Sequence, residues 1–137
     1  MKIQFINSSK WGIKTKGFGV YIERLKKYIP DPEGVLNVVF VDDDYIHSLN
    51  KEYRKKDKPT DVLSFSYIDS AETGDNVIGE IYISVPTAKR QAPEYHNTLQ
   101  DELNKLFVHG MLHIFGYDHE NDADYEKMAG LEGKILS

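Results

Sequence analysis

At 137 residues the chain has the length of a single domain with a substantial core, and it is read as one unit over 1–137. Apolar residues make up 40% and charged residues 28%, the balance of an ordinary soluble globular protein; with no cysteine, disulfide frameworks and thiolate-held metals are excluded. A net charge of −5 argues against indiscriminate nucleic-acid binding but leaves room for a local basic patch, and the lack of a long apolar run or a signal-like start makes the expected setting cytoplasmic, with no membrane partner.

Residues 2–6 alternate and predict a short strand. Over 17–29, Phe18, Tyr21, Ile22, Leu25 and Ile29 fall at helical spacing before Pro30. The β-branched run 35–41 reads as a buried strand. Asp42, Asp43 and Asp44 then supply the cap and first-turn acids of a helix reaching about Tyr53; metal binding by these acids is the weaker alternative, because their spacing is not that of a calcium loop. Residues 62–67 and 77–85 predict two more strands, separated by a polar loop over 69–76. A short helix follows from Thr87 to about Glu94.

Thr98 is placed to cap the next helix, which is apolar on almost every face from 106 to 115 except at two histidines. Such a helix must be central and buried. Residues 120–136 predict a closing helix with Met128, Leu131 and Ile135 inward. The order βαβαββααα implies an α+β domain: a four-stranded mixed sheet covered by helices around one central buried helix.

That helix leads into His109, His113, Gly116 and His119, in the pattern H-x-x-x-H-x-x-G-x-x-H. Histidines four apart share a helix face and can share a metal. His119, six residues further at about 100° each, would lie roughly 120° around the axis from His113 if the helix continued. Gly116 offers the left-handed conformation that ends a helix and turns the chain back. Three imidazoles with a fourth position open is the layout of a catalytic zinc, one ion per chain; nickel or copper would also suit the donors. With five His and ten Gly in the chain, this spacing arises by chance in about five of ten thousand such sequences, so coincidence is a poor account of it. His47 and His96 lie elsewhere and read as ordinary polar residues. The pattern is nearly that of the metzincin proteases, but Gly110 stands where their glutamate base would be.

Residues 51–58 are the densest basic segment, and a solvated helix end explains the lysines there. Two blocks, residues 49–65 and 109–119, together with Gly79–Ser84 and Gln91-Ala92, resemble the YbeY family of bacterial endoribonucleases. Ser66 stands where that family usually has proline. The resemblance implies a zincin-like fold and a metal-dependent, single-strand-specific endoribonuclease that matures the 3′ end of 16S ribosomal RNA and acts in ribosome quality control. It also singles out Arg54 as the functional arginine.

On this reading His109, His113 and His119 hold Zn²⁺, His109 counts among the catalytic residues, and Arg54 stabilises charge on the scissile phosphate. Lys55, Lys56 and Lys58 join Arg54 in binding single-stranded RNA, with the small ribosomal subunit as the expected partner. Asp61 and Asp118 are candidates to support the ligands or to accept a proton, behind a metal-activated water. Whether water or the RNA 2′-hydroxyl attacks is open. Two other readings are a zinc metallopeptidase, against which Gly110 counts, and a non-catalytic ribosome-assembly factor with a structural metal.

Overall fold

The computed structural model describes residues 1–68, 76–118 and 120–137. Among them are strands β1 (Lys2–Ile6), β2 (Val35–Val41), β3 (Val62–Ser66) and β4 (Val77–Ser84), and helices α1 (Gly19–Leu25), α2 (Asp43–Arg54), α3 (Val85–Glu94), α4 (Leu99–Ile114) and α5 (Asp122–Leu136). The sheet order is β1-β2-β4-β3, with β1, β2 and β4 parallel and β3 antiparallel to β4 at one edge. The architecture is the expected α+β domain with a four-stranded mixed sheet. No helix of the described residues is long and apolar enough to cross a membrane.

Strand alternation sorts the core into two parts. Leu36, Val38 and Phe40 of β2 and Ile81 and Ile83 of β4 are fully buried beneath α4 and α1. Phe5, Phe18, Phe40 and Phe107 stack there, with neighbouring ring centroids 5.0–6.4 Å apart. On the opposite face Val39, Val41, Leu63 and Phe65 pack against Ile46 and Leu49 of α2. The strand read as buried is therefore fully dry on one face, while on the other Val35, Asn37 and Val39 are half-buried and Val41 is buried.

The acidic run before α2 does structural work. Asp42 caps the helix through the Tyr45 amide at 2.8 Å. Asp43 accepts from Ser84 (2.7 Å), Thr87 (2.6 Å) and Arg90 (2.9 Å), joining α2 to α3. Burial pushes the Asp43 carboxyl up, but these donors outweigh it and the net pKa is lowered. A lowered folded value gives stability that is present above the ordinary carboxylate pKa of about 4 and lost as pH falls through the folded value. Asp43→Asn should therefore melt below the parent at neutral pH, with the gap closing in acid; a gap of constant size across that range would refute the linkage.

The first helix is shorter than its periodicity suggests. Residues 15–18 form a 3₁₀ turn, α1 covers only Gly19–Leu25, and Tyr28 and Ile29 both return to the Leu25 carbonyl in a tight turn. Pro30 keeps the residue before it out of helical conformation. Ile29 still reaches the core, 6% exposed. At the other end of the sheet α3 begins at Val85, not Thr87, because Ser84 caps it through the Thr87 amide. The polar loop read over 69–76 lies outside the described residues except for Asn76.

Helix α4 is the central buried element. Ten of its sixteen residues are buried, and it starts with a capping box in which Thr98 and Asp101 satisfy each other's amides. It lies unusually close to the sheet. A Cβ on Gly110 would sit 2.8 Å from Ile81 Cγ2, and one on Gly79 would sit 2.8 Å from Ile114 Cδ1. Gly110 thus has a packing reason, independent of any base it replaces. A branched Ile81 cannot swing aside freely, so Gly110→Ala should cost about 1–3 kcal/mol in urea denaturation. An unchanged midpoint would mean the helix can lift at no cost. Gly110→Glu, which would recreate the protease pattern, would drive a carboxylate into the core and unfold the site before testing its chemistry.

Candidate functional site

Helix α4 carries His109 and His113 on the one face that is not sealed by the core. Both are half-buried, with ring centroids 4.6 Å apart and Nε2 atoms 3.1 Å apart. Two imidazole nitrogens at that separation and on one helix turn are a donor pair suited to a shared cation. The chain reverses where the spacing predicts. Gly116, at φ +94°, closes a Schellman turn: its amide bonds the His113 carbonyl at 3.1 Å and the Tyr117 amide bonds the Leu112 carbonyl at 3.0 Å. His119 itself lies outside the described residues.

Among the described residues no atom within 4 Å obstructs a Cβ at Gly116, so the demand for glycine seen there is one of backbone. Gly116→Val should cost about 1–3 kcal/mol in strain or force a different turn. Gly116→Asn, which tolerates left-handed φ, should do less harm. Bound zinc should fall more than helix content in the valine variant. Parent-like zinc affinity there would remove the turn from the account of the site.

The cleft in front of the histidines has a volume of about 810 Å³. Its wall takes in the edge strand and the turn before it, at residues 60–64 and Ser66, together with Arg54, Lys56, Asp118 and Glu120. Arg54 ends α2, and its guanidinium lies 5.0 Å over the Phe65 ring while Nη2 donates to the Ser64 carbonyl at 2.7 Å. Phe65 is held in turn by edge contacts with Tyr53 and Tyr82. An arginine stacked and tethered in this way is a preorganised donor, although its side chain is solvent-exposed.

The other basic residues separate. Lys56 lines the cleft with Arg54. Lys55 takes the left-handed conformation at φ 59° that ends α2, and its Nζ folds back onto the Glu52 carbonyl at 3.2 Å. The Lys58 carbonyl accepts from the buried Asn50 at 2.9 Å. Lys55 and Lys58 are not in the cleft wall. Asp61 is in it, and its Oδ1 also accepts from the Val62 amide at 2.8 Å. His47 pairs with Asp57 at 2.7 Å and His96 is an exposed turn residue at φ 56°, so both sit apart from the cleft.

Three residues of the site escape the motif reading. Ser64 and Ser66 direct their hydroxyls to the Gly110 and Ile114 carbonyls, at 3.4 and 2.9 Å, and bind the edge strand to α4. The serine at 66 thus does a job that proline could not. Glu132, on α5, hydrogen-bonds Nδ1 of His109. Its signal is legible: it lies four residues after Met128 and three before Ile135, a carboxylate on the inward stripe. The Gly79–Ser84 segment has structural roles, since Glu80 accepts from both Tyr67 (2.7 Å) and Tyr82 (3.0 Å). Burial and then Glu80 push the Tyr67 hydroxyl up to about 12.

Known proteins are similar to this sequence along nearly the whole chain. The family model described as Endoribonuclease YbeY matches residues 9–137. A protein called endoribonuclease YbeY from Acholeplasma laidlawii is 42% identical over the full chain and 96% of its own length. One of the same name from Oceanobacillus iheyensis is 44% identical over 84% of this chain and 83% of its own. A solution structure of a Thermotoga maritima protein superposes with a TM-score of 0.62 at 33% identity, over 98% of this chain and 86% of that one. A match of that extent to the family model, with relatives above 40% identity across most of both sequences, makes this chain a member of the YbeY endoribonuclease family.

Proposed function

We propose that this cleft cleaves single-stranded RNA with the help of zinc, and that its substrate is the 3′ end of precursor 16S ribosomal RNA on the small subunit, with ribosome quality control as the wider role. The observation that carries the reading is a shared cleft: imidazoles suited to a cation and a tethered guanidinium suited to a phosphate line one space in a chain of an endoribonuclease family. His109 and His113, with His119, are the residues that would hold one zinc ion, which supplies Lewis acidity to a phosphoryl oxygen or to an attacking water.

The chain's own groups divide the remaining work. Arg54 grips the scissile phosphate and stabilises the extra charge of the transition state. Lys56 draws the backbone into the cleft as a mobile cation. Asp61 and Asp118, which line the cleft together with Glu120, are the proposed proton acceptors, because Gly110 has no acceptor and its Cα faces the sheet. Gly110 disfavours peptide hydrolysis for the same reason.

The test is cleavage of a labelled unpaired oligoribonucleotide, its duplex, an unstructured peptide, and small subunits carrying precursor 16S RNA. Each is assayed with metal-loaded protein, after chelation, and after zinc is restored. The reading expects cut RNA in the unpaired and subunit substrates, loss with chelator and recovery with zinc. Intact RNA with metal-loaded protein, or robust peptide cleavage, would overturn it; RNA cleavage indifferent to chelation would remove the metal alone.

A further inference from the structure

We propose that Glu132 is a positioning residue that selects the ring nitrogen His109 presents to the cleft. The inference rests on reading His109 as a metal ligand, but its direct readout does not need the metal.

A carboxylate only accepts hydrogen bonds, and an imidazole nitrogen is a donor only when it carries the proton. Glu132 Oε1 is bonded to His109 Nδ1, so Nδ1 is the protonated nitrogen. In neutral His109 the lone pair must then lie on Nε2. That is the nitrogen 3.1 Å from His113 Nε2 on the cleft side, where it accepts a hydrogen bond or takes a cation. With the opposite tautomer, Nε2 would carry a hydrogen into the space that a shared ligand must occupy. An ordering bond of this kind behind a ligating histidine raises its basicity and fixes its ring.

The pair joins the two C-terminal helices across 23 residues and is partly shielded, with side-chain exposures of 30% for His109 and 21% for Glu132. A recess of about 220 Å³, lined by His109, Tyr125, Met128, Ala129 and Glu132, opens beside it. Water can enter there, so truncating Glu132 leaves His109 hydrated and the fold intact. The competing account is a stabilising helix–helix ion pair, which predicts changes in melting temperature but none in tautomer.

The experiment uses full-length protein labelled with ¹⁵N at histidine. Long-range ¹H–¹⁵N correlation at pH 8, on metal-free protein, reads the His109 tautomer in the parent, Glu132→Gln and Glu132→Ala. Zinc affinity is measured on the same three proteins by chelator competition. We expect the Nδ1–H form in the parent and in Glu132→Gln, whose amide oxygen still accepts, and a mixed population in Glu132→Ala. Zinc affinity should fall about 10–100-fold in Glu132→Ala and much less in Glu132→Gln. An Nε2–H tautomer in the parent, or a Glu132→Ala variant with unchanged tautomer and zinc affinity, would overturn the proposal. A parent that binds no zinc, yet shows the Glu132-dependent tautomer, would sink the metal reading and leave the positioning role standing.

Discussion

Arg54→Lys should cut the single-turnover rate of RNA cleavage by about 10²–10³-fold, or roughly 3–4 kcal/mol, with metal content and fold unchanged. The structure sharpens the reason. The guanidinium spans two supports, the Phe65 ring at 5.0 Å and the Ser64 carbonyl at 2.7 Å. One of its five N–H donors makes that tether, and the planar fork sets the direction of the others. A lysine ammonium keeps the charge but neither stacks as a plane nor donates as a fork. Lys55→Ala is the contrast, since its amine folds onto its own helix and should change little. Lys56→Ala should weaken RNA binding chiefly at low salt, with a small effect on the chemical step. Saturating enzyme separates the step from binding. Should Arg54→Lys react within about threefold of the parent, far short of that loss, Arg54 would return to the ordinary surface cations.

His113→Ala should abolish cleavage and strip zinc from near one ion per chain to near none. Residues that merely support a ligand typically carry 10–100-fold in affinity, and removing a ligand should exceed that. The fold should survive, because His113 opens onto the cleft while its neighbours Leu112 and Ile114 stay in the core. Elemental analysis and circular dichroism on the same sample distinguish lost metal from lost structure. Full zinc occupancy in a folded His113→Ala protein would contradict the ligand assignment.

The legible part of this molecule is the part written in local periodicity. The run around Phe107 reads as a buried helix because hydrophobicity circles it, and Gly116 reads as a reversal because only a turn brings His119 back. Both features depend on neighbours within a few residues. The α1 boundaries differ because residues 15–18 form a 3₁₀ turn and residues 26–29 close tightly onto Leu25, while the apolar spacing runs on regardless. The strand order, with β4 between β2 and β3, has no local signature. Gly110 was legible as a missing glutamate, but its packing against Ile81 is a distance across 29 residues that no spacing rule contains. Glu132 was visible as a charge on an apolar stripe, yet its partner could only be named once α5 lay against α4. Arg54 stands between these cases: the family resemblance picks it out, and the contacts with Phe65 and Ser64 supply its physical distinction from the lysines beside it.

The tether from Arg54 to the Ser64 carbonyl has a consequence for which polymers the cleft can accept. In β3 the bonds at Asp61 and Tyr67 point toward β4, so the alternating residues 62, 64 and 66 aim their amides and carbonyls away from the sheet, along the cleft. Among the described residues no strand pairs with that edge, and a ladder of that kind is a template on which an extended polypeptide can pair as a fifth strand. The guanidinium occupies the middle rung. A peptide laid along β3 would have to displace it from both the carbonyl and the Phe65 ring, whereas a polyanion meets it as a donor already aimed outward. One side chain thereby stands in the way of a strand-like ligand on β3, while the proposed phosphate contact would use the donors that its tether leaves over.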